Sequence, residues 1–467
     1  MSDRSAIASD ALATSRHVLQ SAVPSAEFGF DVATRSSSVG FAISKSILSS
    51  IAGVLGDTLG APLHLAHGIV DGAEHVTHAS IQTSRLITKA SLNAADSALE
   101  AAGVETGTLE HISPHLHAFS CIASMITTYT NHLAPLTVQE LASGLTNLSN
   151  LQEEAEIRTR LAEGFPWPYL TTDIVAHGPE LESLVSLMSV CLAAYGDLAC
   201  RALGAIALNE TALAVLAPGL VLLHSKTQGD IYHPGYLLLS DEANSRILFV
   251  LRGTFRPGDV VTDLMCMREP LEESSGAFVH GGMLKAAIKV KEAVGDLLSS
   301  ELKKRPGFSL VITGHSLGAG VATLLLAVLE RDANFAPLKP TCFAFAPPCT
   351  VSSDFAALLP NVNARITSIV NEDDMVSRFG LSQMEDLRAA VLRLNRDPGV
   401  TYATLCQEEM GRLKLAPAGR ILHLTHGHFE RIVVRERPPT YFSYLLLTKS
   451  MFSAHMPQTY LQRMKNC

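Results

Sequence analysis

Hydrophobic positions recur with different periods in different parts of this chain. Between residues 32 and 99 the step is eleven: Val32, Ile43, Val54, Leu65, Val76 and Ile87 form one row, and Leu48, Leu59, Val70, Ile81 and Leu92 a second. Eleven residues over three turns is about 3.67 per turn, close to a straight α-helix, so both rows stay on one face. Ile47, Ile51, Leu55 and Ile69 fall between the rows, while Lys45, Asp57, Glu74, Arg85 and Asp96 fall opposite. The pattern predicts amphipathic helices interrupted at Pro62. From 110 to 225 the spacing remains mainly helical, most clearly over 136–161, and Trp167 sits between two prolines in a rigid linker. The run 202–223 has the composition of a membrane span, but Asn209-Glu210 and Pro218-Gly219 interrupt it, and it reads as a pair of helices.

After Gly235 the period shortens. Residues 236–239 and 247–251 read as strands separated by Ser240-Asp241, followed by strands at 308–313, 341–345 and 365–370 with helical patterns between them. The segment 422–429 reads as a hairpin around His426-Gly427-His428. An apolar run over 441–447 leads to His455 and a terminal helix over 456–464, which puts His455 on a loop after the last strand. Alternation of short apolar runs and helices predicts an α/β class with a mostly parallel central sheet. The expected organisation is an amphipathic helical region over 1–110, a helical region over 111–230 that packs on the catalytic part, and an α/β domain over 231–467.

Composition narrows the partners. Apolar residues make up 47% of the chain and charged residues only 17%, with a mean hydropathy of +0.22, values that fit an enzyme with extra apolar surface facing lipid. A net charge of -9 and the lack of any basic run argue against nucleic acid. The first 17 residues carry no uninterrupted apolar core, so no secretory signal is expected. The eight cysteines show no CxxC pair or framework spacing, which predicts reduced thiols in a cytoplasmic protein.

The chemistry centres on residues 308–330. Gly314-His315-Ser316-Leu317-Gly318 joins a buried strand to a helix in the form Gly-x-Ser-x-Gly, in which a sharp turn lifts the serine hydroxyl off the sheet. Gly314 and Gly318 permit the strained turn and the close approach of helix to strand. The helix start leaves backbone N–H groups near Ser316, where an oxyanion would develop. Upstream, Arg252-Gly253-Thr254 ends a strand, and its Gly-hydroxyl pair can offer a backbone N–H and a side-chain O–H to that oxyanion. Downstream, the strand at 365–370 ends in Asn371-Glu372-Asp373-Asp374; in an α/β-hydrolase fold the acid follows such a strand, and only one of the two aspartates can serve. The candidate bases are His423, His426, His428 and His455. The pair His426 and His428 has no third ligand in view, so no metal is expected there. His455 has the position a base requires.

Taken in order, these motifs resemble the class 3 lipases, and within them the diacylglycerol-lipase-like branch. The resemblance covers residues 232–460, about half the chain, through Tyr232-His233-Pro234-Gly235-Tyr236, LRGTFRPGDVVTDL (251–264), Val279-His280-Gly281-Gly282, GHSLGAG (314–320), AFAPP (344–348), NEDDMV (371–376) and SAHMPQTY (453–460). It implies an α/β-hydrolase fold preceded by a helical N-terminal region. It also implies Ser316 as nucleophile, Asp374 as the acid because it precedes Met375-Val376, and His455 as the base. Thr254 and the N–H of Leu317 would form the oxyanion hole, and Gly314, His315 and Gly318 the elbow. Gly318-Ala319-Gly320 stands where the family usually has Gly-Gly-Ala, and no acidic residue directly precedes His455. No counterpart of the transmembrane bundle of the animal diacylglycerol lipases is read in the sequence.

The expected reaction is hydrolysis of di- or triacylglycerol esters through an acyl-enzyme, without metal or cofactor. The alternatives are a phospholipase A1 or galactolipid lipase, because a triad does not encode the head group, and an inactive lipid-surface scaffold. The amphipathic face over 32–99 is expected to lie on a membrane or lipid-droplet surface. Residues 380–418, between acid and base, read either as a lid or regulatory loop or as a plain helical insertion.

Overall fold

The computed structural model describes residues 136, 138–161, 178–227, 229, 232–253, 268–272, 276–408, 413–426, 432–448 and 450–467. The eleven-residue repeat over 32–99, Trp167, Thr254 and His428 lie outside the described residues. The chain forms two compact units: Arg158–Gln383, Glu409–Leu446 and Ser450–Cys467 make one, and Met1–Ile157, Met384–Glu408 and Leu447–Lys449 the other.

The first unit is built on an eight-stranded sheet. Its strands are β1 (Val221–Lys226), β2 (Tyr236–Asp241), β3 (Arg246–Leu251), β6 (Ser309–His315), β7 (Thr341–Phe345), β8 (Ile366–Asn371), β9 (Arg420–His426) and β10 (Ile432–Arg437), in the spatial order β1-β2-β3-β6-β7-β8-β9-β10. β4 (Arg268–Pro270) and β5 (Phe278–His280) pair separately. The five central strands from β3 to β9 are parallel, and antiparallel β1, β2 and β10 flank them. This is the mostly parallel sheet of an α/β-hydrolase fold.

Parallel strands are joined by crossovers that cover both faces, so their sequences are apolar throughout rather than alternating. Ile247 to Leu251 is accordingly buried at every residue. The helices Pro179–Ala193 and Pro457–Lys465 share one hydrophobic core with Leu237, Leu239, Leu248, Val250, Val311, Phe345 and Ile369. The helices Gly281–Lys303 and Leu317–Leu329 cover the opposite face, where Thr323 hydrogen-bonds Cys342. Full burial of one such Leu or Val stabilises the fold by about 1.5–3 kcal/mol.

Two elements differ from the sequence reading, and a third run is assigned by the structure. The run 202–223 is not a helix pair: Ala202 ends the short helix Asp197–Ala202, and the run then holds a single short helix, Ala212–Leu216, and the start of β1. Pro218-Gly219, with Gly219 at φ 80°, ends the helix, and the following apolar residues pair antiparallel with β2. Ser240 and Asp241 belong to β2, and the turn falls one step later, at Glu242 to Ser245. The apolar run 441–447, given no element by the sequence, adds no strand to the sheet. Pro438-Pro439 cannot donate to a ladder, and the chain coils into a 3-10 turn at Pro439–Phe442 with Phe442 and Leu445 buried. β9 and β10 pair antiparallel as the expected hairpin, and residues 427–431 between them lie outside the described residues.

In the second unit the helix Val138–Leu161 packs against Leu381–Arg396, whose residues from Met384 onward belong to this unit. A Cβ on Gly144 would come 2.6 Å from Val391 Cγ1 and 3.0 Å from its backbone, so only glycine allows this approach. Asn395 Nδ2 donates to Glu140 O at 2.8 Å, and Ser149 Oγ to Leu447 O at 3.1 Å. The span 380–418 is thus largely helical, as Leu381–Arg396 and Tyr402–Glu408.

Candidate active site

Ser316 stands between β6 and the helix Leu317–Leu329 with φ 59° and ψ −128°, in a region that costs a non-glycine residue about 1–3 kcal/mol. Three backbone bonds hold it there. Ser316 N donates to Phe345 O on β7 at 3.0 Å, and Ser316 O accepts from Ala319 N at 2.9 Å and Gly320 N at 3.2 Å. The flanking glycines are steric requirements. A Cβ on Gly314 would lie 2.6 Å from Gly318 C, and one on Gly318 would lie 2.2 Å from Leu251 O. The N–H of Leu317, at the first helical position, precedes the first intrahelical bond.

The structure brings Ser316, His455 and Asp374 together. His455 lies in the 3-10 turn Ser453–His455, just before the terminal helix, with Nε2 2.9 Å from Ser316 Oγ. Its Nδ1 is 3.0 Å from both Asp374 oxygens. Asp374 follows β8 in a turn closed by its own N–H donating to Asn371 O at 3.0 Å. Its carboxylate is fully buried, where Oδ1 accepts from Val376 N at 2.9 Å and Oδ2 from Tyr460 Oη–H at 2.6 Å. Asp373 is half-buried and is not the aspartate that meets His455.

Several participants were assigned no catalytic part by the sequence reading. Tyr460 is one: its hydroxyl accepts from Asn371 N at 2.9 Å while donating to Asp374. Burial and the neighbouring Asp374 charge push this phenol well above its ordinary range, so it remains a donor. It closes the SAHMPQTY motif, five residues after His455 and on the next helical turn. Asn371 Nδ2 donates to Ala454 O at 2.9 Å and ties the base turn to β8. Tyr195, just beyond the helix Pro179–Ala193, places Oη 2.9 Å from His315 Nδ1. His315 Nε2 lies 2.9 Å from His455 O. Burial, reinforced by repulsion from His455, holds His315 well below the ordinary histidine range and therefore neutral.

Gly253 approaches the elbow so closely that a Cβ there would be 2.4 Å from His315 O and 3.1 Å from Ser316 Cβ. Thr254 follows it in sequence. Of the other histidines, His423 is buried on β9 with Nε2 2.9 Å from Glu372 O, while His426 ends that strand. Among the described residues no group of three or more His, Cys, Asp or Glu side chains is arranged to hold a metal ion. Among the same residues no helix is long and apolar enough to cross a membrane.

Residues 248–384 match the family described as lipase (class 3). Human diacylglycerol lipase-alpha is 27% identical over 320 residues, which cover 56% of this chain and 30% of the relative. Mouse diacylglycerol lipase-beta is 30% identical over 177 residues, 37% of this chain and 26% of the relative. This chain therefore spans less than a third of the length of these curated relatives. The solved triacylglyceride lipase of Rhizomucor miehei aligns over 60% of this chain and 89% of its own, with 19% identity and a TM-score of 0.40.

Proposed function

We propose that this chain is a class 3 lipase, a carboxylic ester hydrolase of neutral acylglycerols that acts through Ser316, His455 and Asp374. The observation that carries the proposal is the unbroken line from Ser316 Oγ to His455 Nε2 at 2.9 Å and from His455 Nδ1 to Asp374 at 3.0 Å, built on a strained elbow.

In the proposed reaction His455 Nε2 takes the Ser316 proton as Oγ attacks the ester carbonyl. The negative charge moves to the carbonyl oxygen, where the Leu317 N–H, together with Thr254, stabilises it. Asp374 keeps the proton of His455 on Nδ1, so Nε2 is free to accept, and balances the imidazolium charge. His455 then returns its proton to the departing alcohol, leaving the acyl group on Ser316. Water, deprotonated by His455, attacks this ester, and Ser316 leaves with the proton. Relatives named diacylglycerol lipases favour a diacylglycerol over a phospholipid or galactolipid head group.

Purified protein and Ser316→Ala, assayed on mono-, di- and triacylglycerols, phospholipids and short esters, test this reading. The expected result is hydrolysis of diacylglycerol by wild type and its loss in Ser316→Ala. Turnover of short soluble esters alone would defeat the lipase reading, and folded protein without fluorophosphonate labelling would favour the scaffold. The proposal extends to residues 32–99 as the segment facing a membrane or droplet surface; full-length protein lacking the apolar row should then stay off neutral-lipid emulsions that wild type binds.

A further inference from the structure

The nucleophile and the base come from segments 139 residues apart, and their 2.9 Å separation must be held by something other than their own hydrogen bond. The turn that carries His455 is gripped at two successive carbonyls. Asn371 Nδ2 holds Ala454 O from the acid side, and His315 Nε2 holds His455 O from the nucleophile side. His315 directly precedes Ser316. Its side chain therefore ties the base to the residue beside the nucleophile.

We propose that His315, locked by Tyr195, is the positioning residue for the base: its Nε2–H docks the carbonyl of His455 so that the imidazole stands over Ser316 Oγ. The inference rests on the hydrolase reading above. A carbonyl oxygen only accepts, so the His315 proton must reside on Nε2, and Nδ1 must then accept. Tyr195 Oη–H supplies that donor at 2.9 Å and disfavours the tautomer that would release His455. All three groups are packed together: the ring of His315 lies 4.9 Å from that of His455 and 5.9 Å from that of Tyr195. The same tyrosine hydroxyl would be only 2.6 Å from a Cβ on Gly253, so it also abuts the strand end that leads to Thr254. A neutral dock suits the reaction, because a second cation beside His455 would oppose formation of the imidazolium. Tyr195 lies outside residues 248–384, which gives the helix Pro179–Ala193 a part in arranging the site.

The test compares wild type with Tyr195→Phe, His315→Gln and His315→Phe in full-length protein, measuring kinact and KI for a fluorophosphonate together with the thermal midpoint. Losing one hydrogen bond that sets geometry should lower kinact about tenfold in Tyr195→Phe. KI should stay within about twofold and the midpoint within a few degrees. Glutamine can present its amide N–H where Nε2–H was, so His315→Gln should keep kinact within about threefold, whereas His315→Phe, which fills the space without donating, should lose about tenfold or more. Equal rates in the Gln and Phe variants, or a Tyr195→Phe variant that loses stability but not kinact, would overturn the inference and leave the hydrolase reading intact. Folded wild type that does not label would overturn the hydrolase reading, and this inference with it.

Discussion

Asp374 carries the most concentrated demand on a single residue. A buried carboxylate is tolerated only when its lone pairs are occupied, and here Val376 N–H, Tyr460 Oη–H and His455 Nδ1–H occupy them. Removing the Tyr460 hydroxyl would take one donor from the charge and strip Asn371 N–H of its acceptor. Tyr460→Phe is therefore expected to lower kcat about tenfold and stability by about 1–3 kcal/mol, read from ester hydrolysis and urea unfolding. Asp374→Asn should keep the fold but cost about 10,000-fold in kcat, because an amide can donate to Nδ1 and favour the wrong tautomer. Asp373→Asn should stay within about twofold of wild type. If the two asparagine variants changed places in that assay, the acid would have been misassigned.

At the scale of elements, the elbow works because one strand, one turn and one helix meet with no room for a methyl group. Gly318→Ala would drive a Cβ to 2.2 Å from Leu251 O, a backbone atom at the C-terminal end of β3 that the sheet holds in place. Gly320→Ala would crowd only the Met283 side chain, which can retreat, and would touch Pro348 Cδ at an ordinary 3.4 Å. The first substitution should cost about 3 kcal/mol or more and the second less than about 1.5 kcal/mol, measured by urea unfolding. Strand β6, the elbow and its helix were legible in the sequence because doubly covered strands read as unbroken apolar runs and the turn needs its glycines. The edges were less legible. β1 has an exposed outer side and no alternation to announce it, and the run 441–447 was apolar for packing rather than for pairing. Tyr195 had no local signal, because its role comes from a contact with a residue 120 positions away. Thr254 and the eleven-residue repeat stand as readings of the sequence alone.

At the scale of the whole molecule, buried histidines link stability to pH. His423 on β9 is kept neutral, with its pKa pulled from 6.5 to about 3, first by burial and then by the guanidinium of Arg378, with Arg437 and Arg435 adding to it. His315 is displaced in the same direction. Above pH 6.5 neither the folded nor the unfolded chain protonates these rings, and they leave stability independent of pH. Between 6.5 and about 3 the unfolded chain binds a proton at position 423 that the folded chain refuses, so stability must fall as the pH falls. One proton corresponds to about 1.4 kcal/mol per pH unit. Carboxylates titrate in the lower part of this range as well, so the wild-type curve alone cannot isolate the effect. The difference from His423→Gln can, since glutamine keeps a donor for Glu372 O and has nothing to titrate. Urea unfolding of both proteins at pH 7.5, 6, 5 and 4 should give parallel behaviour above 6.5 and a gap that widens by about one proton's worth per unit below it. Curves that stay parallel down to pH 4 would mean that His423 takes up its proton in the folded state.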